Sequence, residues 1–222
     1  NNDTAAIGEN GVLTVAAPGI LSNDTDADIG DTKSIVAVNG QSPSVGTQIT
    51  LASGARLTVQ ADGRYTYDPN NKFESLRAGQ TATDSFTYTM ADSAGATSSA
   101  TVTITIQGAN DAPQALNDTA STPENDILAV VAPGVLINDT DLDSGDIKTV
   151  TAVNGQSASV GTPITLASGA LLTVQATGNY SYNPNNKFES LRAGQSATDS
   201  FTYTVTDSSG AASSATVAIT IQ

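Results

Sequence analysis

Four carboxylates crowd nine residues in Asn138-Asp139-Thr140-Asp141-Leu142-Asp143-Ser144-Gly145-Asp146, with no Lys or Arg among them. Left bare, such a loop repels itself; a hard divalent cation reverses that. Ca²⁺ takes about six to eight oxygen ligands, and alternating Asp with a Gly for the tight turn is how a short loop supplies them. The same loop occurs earlier as Asn23-Asp24-Thr25-Asp26-Ala27-Asp28-Ile29-Gly30-Asp31. A solvated turn is the plainer reading, since Asp and Asn are ordinary turn residues. Two such loops in register, one of them close after the acidic Asn110-Asp111, favour a bound cation.

Composition narrows the chemistry. The 222 residues carry a formal charge of −14, which argues against nucleic acid and against electrostatic docking on anionic membranes. Such a charge also keeps a protein soluble. There is no Cys, His or Trp. Disulfides, the usual Zn²⁺ and Cu ligands, and Ser-His-Asp or Cys-His catalysis are therefore excluded, and oxygen-ligated metals remain. No apolar run is long enough for a membrane-spanning helix. The chain opens mid-pattern at Asn1-Asn2-Asp3-Thr4 without a signal peptide, and is expected to be a segment of something longer.

The elements that must position the loops come in two copies. Asp24 recurs as Asp139, Asp84 as Asp199 and Gln107 as Gln222, at one constant offset without a gap, and most aligned positions are identical. Residues 1–107 form copy one and 116–222 copy two, joined by the short, Pro-containing segment 108–115. Ser99-Ala100-Thr101-Val102-Thr103-Ile104-Thr105-Ile106 and Ser85-Phe86-Thr87-Tyr88-Thr89-Met90 alternate with the period of half-buried strands, Thr outward. Leu57–Gln60 and Arg64–Tyr67 flank Ala61-Asp62-Gly63 as a hairpin. Further strands are expected at Thr4–Ile7, Val12–Val15, Ser34–Val38 and Ile49–Leu51. Only Phe73–Ala78 suggests a helical turn. Seven or eight short strands per copy indicate an all-β chain of two tandem antiparallel immunoglobulin-like sandwiches.

In such a sandwich the first strand runs from the amino-terminal to the carboxy-terminal pole. The turn carrying Glu9 then lies at the carboxy-terminal pole. The loops carrying Asp24, Asp26, Asp28 and Asp31, and Asp92, return to the amino-terminal pole. Where the copies join, Glu9 and Asp84 of copy one, Asn110 and Asp111 of the linker, and Asp139, Asp141, Asp143, Asp146 and Asp207 of copy two are the candidate ligands. Glu124 repeats Glu9. Asp92 and Asp207 also suit the capping of tight turns with Gly95 and Gly210, and Asp84 and Asp199 also suit fixing a strand end.

Val12-Leu13-Thr14-Val15-Ala16-Ala17-Pro18-Gly19-Ile20-Leu21-Ser22-Asn23-Asp24-Thr25-Asp26, Leu76-Arg77-Ala78-Gly79-Gln80-Thr81-Ala82-Thr83-Asp84-Ser85-Phe86-Thr87-Tyr88-Thr89 and Asn110-Asp111-Ala112-Pro113 together resemble the tandem bacterial immunoglobulin-like and cadherin-like (VCBS-type) repeats of giant RTX adhesins. The resemblance covers nearly the whole chain, twice. It implies secretion to the bacterial surface, a cadherin-like sandwich, Ca²⁺ at the joints, and extender modules projecting an adhesive tip. By position, Glu9 and Glu124 resemble the cadherin glutamate, Asp26/Asp28 and Asp141/Asp143 the Asp-x-Asp pair, and Asn110 and Asp111 the linker ligands. Gln107-Gly108 departs from an acidic linker, the Leu-Asp-Arg-Glu motif is missing, and the glycine-rich nonapeptide repeat is absent.

Other functions fare less well. A glycosidase needs a carboxyl in an apolar cleft, whereas these lie in polar loops of both copies, so no enzyme is expected. A glycan- or protein-binding module is the alternative, but Tyr65, Tyr67 and Tyr88 alternate as core residues. A Lys–Asn isopeptide staple through Lys33 or Lys72 is conceivable, with an unmodified mass expected. The expected partners are neighbouring repeats of the same chain, with neither nucleic acid nor a membrane.

Overall fold

The computed structural model describes residues 1–28 and 30–222; Ile29, inside the first acidic loop, lies outside them. The chain divides into two compact units, Asn1–Asn110 and Asp111–Gln222. The segment 108–115 is thus shared between them.

Unit one contains β1 (Asp3–Gly8), β2 (Leu13–Val15), β3 (Ser34–Val38), β4 (Gln48–Thr50), β5 (Arg56–Val59), β6 (Tyr65–Asp68), β7 (Thr81–Ala91) and β8 (Thr97–Gln107). They form two four-stranded sheets, β1-β8-β7-β3 and β2-β6-β5-β4. The long hairpin β7–β8 sets the register, pairing Phe86 with Val102 and Tyr88 with Ala100. The period-two pattern turns Phe86, Tyr88, Val102, Ile104 and Ile106 into the core and leaves the intervening threonines facing outward. Each such side chain contributes about 1.5–3 kcal/mol by leaving water. From the second sheet Leu57, Val59, Tyr65 and Tyr67 complete the core, and Tyr65 meets Phe86 edge-to-face at 5.6 Å. Tyr65, Tyr67 and Tyr88 are all buried, as their alternation indicates.

Unit two repeats this plan. Its strands are β9 (Asp118–Thr122), β10 (Leu128–Val130), β11 (Thr149–Val153), β12 (Ile164–Thr165), β13 (Leu171–Val174), β14 (Tyr180–Asn183), β15 (Ala197–Thr206) and β16 (Ala212–Ile221). The sheets are β9-β16-β15-β11 and β10-β14-β13-β12.

Three local features differ from the sequence expectation. First, the sandwiches are not wholly antiparallel: β1 pairs parallel to β8, and β9 parallel to β16. The first and last strands both run from the amino-terminal to the carboxy-terminal pole, so side by side they must be parallel. Second, Phe73–Ala78 closes only one turn, with the Leu76 N–H donating to Phe73 O at 3.0 Å. Third, single 3₁₀ turns at Gly19–Leu21 and Gly134–Leu136 precede the acidic loops. They press Ile20 and Leu21, and Val135 and Leu136, into the cores. Glycine is required there. A Cβ on Gly134 would stand 2.0 Å from Gly178 O, and φ is +56°. Gly19 and Gly63 make the same approach in unit one.

Candidate metal centre

In unit two the acidic loop leaves the 3₁₀ turn at Ile137 and ends where β11 begins. Its first carboxylate is structural. Asp139 is buried, with Oδ1 accepting the Leu116 N–H at 2.8 Å and lying 2.9 Å from the Tyr203 hydroxyl. That hydroxyl stands on β15, so Asp139 ties the loop to the core sheet. Asn138 Nδ2 donates to Asn117 O at 3.1 Å. Thr140 exchanges both backbone bonds with Gln114, at 2.8 and 3.1 Å. The stretch entering the domain is thereby sewn to the loop.

Beyond this anchor the carboxylates converge. Asp141 Oδ1 accepts the Asp143 N–H at 2.9 Å, and Asp143 Oδ2 accepts the Asp111 N–H at 2.9 Å. Asp146 accepts the Ile147 N–H and the Ser208 hydroxyl. Asp207 Oδ1 caps its own turn through the Ser209 and Ala211 N–H groups. One carboxylate oxygen from each of Asp141, Asp146 and Asp207 lies within 4.8 Å of the others. Asp207 therefore caps a turn and also joins the cluster.

This crowding has a measurable consequence. Asp141 titrates above the usual carboxylate range, through burial first and then the charges of Asp143, Asp146 and Asp207. Asp111 is raised by burial and by Asp143. Asp118, at the start of β9, is pushed up to about 6 by burial and by Asp139. Like charges are being held together at a cost. Asp141 Oδ2, Asp143 Oδ1 and Asn138 Oδ1 are buried without a hydrogen-bond partner among the described residues. All three are acceptor oxygens, which a bound cation would satisfy and a further acceptor would not. The donor set is all oxygen, the set that hard cations such as Ca²⁺ require.

Unit one has the same loop in a looser form. Asp24 is buried and accepts the Tyr88 hydroxyl at 2.8 Å and the Asn1 nitrogen, which stands where Leu116 N does in unit two. The Asp28 N–H donates to Asp26 Oδ1 at 2.8 Å. Asp26, Asp28 and Asp31 each bring one oxygen within 4.8 Å of the others, but Asp26 and Asp28 are exposed. Lys33 Nζ donates to the Asp24 carbonyl. Asp92 Oδ1 caps its turn through the Ala96 N–H at 2.8 Å.

The remaining candidates lie elsewhere. Glu9 is buried, and its Oε1 accepts the Ala109 N–H at 2.6 Å. Asn110 closes unit one. Glu124 Oε2 is buried without a partner among the described residues. Asp84 is engaged away from the acidic loops. Its Oδ2 accepts the Ser53 hydroxyl at 2.5 Å and the Tyr67 hydroxyl at 2.9 Å, and its Oδ1 accepts the Ser85 N–H at 2.8 Å. Asp84 thus ties β7 to the opposite sheet, and Asp199 does the same with Ser168, Tyr182 and Ser200. Asn138, Asp118 and Tyr203 belong to the same acidic pole but were not among the sequence candidates. The one signal was that Asn117-Asp118 repeats Asn2-Asp3.

Comparison with known proteins agrees with this architecture. The family model of the bacterial cadherin-like domain matches residues 1–108 and again 110–222. No curated protein sequence matches. Among solved structures, the chain is similar to human mucin-like protocadherin EC1-2, at 15% identity and TM-score 0.51, covering 100% of this chain and 96% of that one. It is also similar to human CDH23 EC21-23, at 16% identity and TM-score 0.50, covering 100% and 72%. The chain spans 49% of the longer PcdhgB3 EC1-4, at 16% identity and TM-score 0.45. These likenesses speak to the fold alone. No helix among the described residues is long and apolar enough to cross a membrane. Cadherin-like domains are extracellular modules of structure and adhesion, typically without enzymatic activity, and generally bind Ca²⁺. Matched over nearly its whole length, this chain belongs to the bacterial cadherin-like domain family and carries two copies of that domain in tandem.

Proposed function

We propose that the chain is a Ca²⁺-stiffened extender segment of a secreted bacterial surface adhesin of the RTX kind, projecting an adhesive domain carried elsewhere. The observation that supports this reading most is the pole of unit two. There, buried acceptor oxygens on Asn138, Asp141 and Asp143 lack partners among the described residues, beside a cluster of Asp141, Asp146 and Asp207. Asp139, Asp141, Asp143, Asp146 and Asp207 would hold or surround the ion in unit two, with Asp111 ordered by Asp143. Asp26, Asp28 and Asp31 would hold one in unit one.

The mechanism is linkage. Ca²⁺ that binds the folded loop and not the unfolded chain stabilises by about 2.7 kcal/mol at a hundredfold excess over Kd. The segment entering unit two is bonded to the same loop through Gln114–Thr140 and Asp111–Asp143. Ordering the loop therefore orders that segment and restrains the tandem. Sites of the ~10⁻⁴–10⁻³ M class fill outside the cell and stay empty in the cytosol. Small-angle scattering with millimolar Ca²⁺ and then with chelator tests this. A maximum dimension that sharpens and lengthens only with Ca²⁺ supports the strut; an unchanged profile and melting temperature would refute it.

A further inference from the structure

The chain contains three Asn-Gly pairs, Asn10-Gly11, Asn39-Gly40 and Asn154-Gly155. Such a pair carries its own chemistry. The glycine nitrogen can attack the asparagine Cγ, because no side chain on the glycine hinders the approach. A C–N bond forms, the side-chain amide leaves as ammonia, and the succinimide ring takes up water. The ring opens at either carbonyl, to aspartate or to isoaspartate. Water is the only co-reactant. What the fold decides is whether the side chain is free to turn onto that nitrogen.

Two of the pairs are locked. Asn39 and Asn154 both lie in the left-handed region, at φ +48°. Their turns are closed by mutual backbone bonds, Val38 with Gln41 and Val153 with Gln156. Asn39 Oδ1 accepts the Thr87 N–H at 2.8 Å, and the Asn39 N–H donates to Thr87 O at 2.8 Å. Asn154 makes the same two bonds with Thr202, at 2.8 and 2.9 Å. Turning either side chain onto the next nitrogen breaks its bond to β7 or β15. Asn10 is held differently. It is exposed in the turn between β1 and β2, and its side chain makes no hydrogen bond among the described residues. The tie on the reacting nitrogen is a single turn bond, Gly11 N–H to Gly8 O at 2.9 Å, and Gly8 is itself exposed. Bonds of that kind open at little cost. In unit two Asp126 takes the place of Gly11, and its side chain shields the nitrogen.

We infer that Asn10 is a self-modification site, at which unit one and not unit two converts to aspartate and isoaspartate with age. Its neighbour gives the site a consequence. Glu9 is buried, its Oε1 accepts the Ala109 N–H at 2.6 Å, and its N–H donates to Gln107 O at 2.9 Å. Isoaspartate routes the main chain through the side-chain carbon and lengthens the turn beside Glu9 by one methylene. The carboxylate is thereby displaced from Ala109, and the end of unit one is released.

The full chain, held in mildly alkaline buffer at physiological temperature and sampled by peptide mass mapping, tests the site. Asn10 is expected to deamidate about ten times faster than Asn39 or Asn154, the protection that one net hydrogen bond supplies. In urea the three pairs should react at similar rates, because the difference comes from the fold. Hydrogen exchange at the Ala109 amide should quicken several-fold in the isolated isoaspartate form, while an Asn10→Gln chain aged alongside keeps the rate of fresh protein. Reaction at Asn39 or Asn154 as fast as at Asn10 in the folded chain, or a spread in urea as wide as in the folded chain, would overturn the site. An Ala109 amide as protected in the isoaspartate form as in fresh protein would overturn the release.

Discussion

The two amino-terminal poles contain the same acidic loop but hold it differently. In unit two, Asp143 and Asp207 are buried, and Asp143 receives the N–H of Asp111. In unit one the matching Asp28 is exposed, and Lys33 donates to the Asp24 carbonyl. Both loops use Asx turns, Asp28 onto Asp26 and Asp143 onto Asp141. The loop sequence therefore builds its own turn, whereas closure of the pole in unit two involves the stretch that precedes the domain. That stretch contributes one backbone donor at Asp111 and a two-bond bridge at Gln114. An acidic loop alone prepares a cation site, and the entering segment shapes it.

The largest expected effect tests whether the units are equivalent where the loop has not yet begun. Gly134→Ala and Gly19→Ala each push a Cβ to 2.0 Å from a facing glycine carbonyl. Each should cost its own domain about 3 kcal/mol, read as two separate calorimetric transitions. A marked difference between them would show that the units already diverge below the loop.

Calcium should then separate the two. Chelation is expected to lower the transition of unit two by about 2.7 kcal/mol from a state at a hundredfold excess over Kd, and that of unit one by less. The double substitution Asp141→Ala and Asp143→Ala should abolish the calcium response of unit two while leaving both domains folded. Asp26→Ala with Asp28→Ala should have the smaller effect. Isothermal titration of each double variant reads the remaining sites. A larger loss from the unit-one pair would reverse the comparison.

The anchors beneath the loops should respond alike, with a smaller effect. Tyr203→Phe removes the hydroxyl that faces buried Asp139, and Tyr88→Phe the one that faces Asp24. Each is expected to cost about 1–3 kcal/mol, because a buried carboxylate loses a donor. Urea unfolding checks this. A near-zero change in unit two alone would mean that Leu116 N–H suffices for Asp139.

Much of this was legible beforehand because strands carry their own period. Val102, Ile104 and Ile106 alternate with threonine, and every one of them is buried. The repeat was equally plain, since copying preserves spacing. What stayed hidden depends on neighbours distant in sequence. The pairing of β1 with β8 is parallel because of where the chain enters and leaves, which no local pattern encodes. Asp84 read equally as a pole ligand or a strand-end anchor, and its bonds to Ser53 and Tyr67, remote in the chain, are what no local pattern encodes. The difference between Asp28 and Asp143 was invisible for the same reason: the two residues are identical, and their burial and the N–H of Asp111 on Asp143 are set by the surroundings.

The smallest expected effect sharpens the contrast at one side chain. Lys33 donates to the Asp24 carbonyl and stands among Asp24, Asp26 and Asp92. Lys148, the matching residue, is half-buried and makes no such bond to Asp139 among the described residues. A cation bound close to an ammonium binds more weakly, by a margin that solvent at this open pole keeps to less than about 1 kcal/mol. Lys33→Met keeps the apolar stem and removes the charge. It should raise the Ca²⁺ affinity of unit one a few-fold, and Lys148→Met should change that of unit two less, as read by titration in low salt. Equal gains at both positions would assign the effect to net charge rather than to the lysine lying within the first pole.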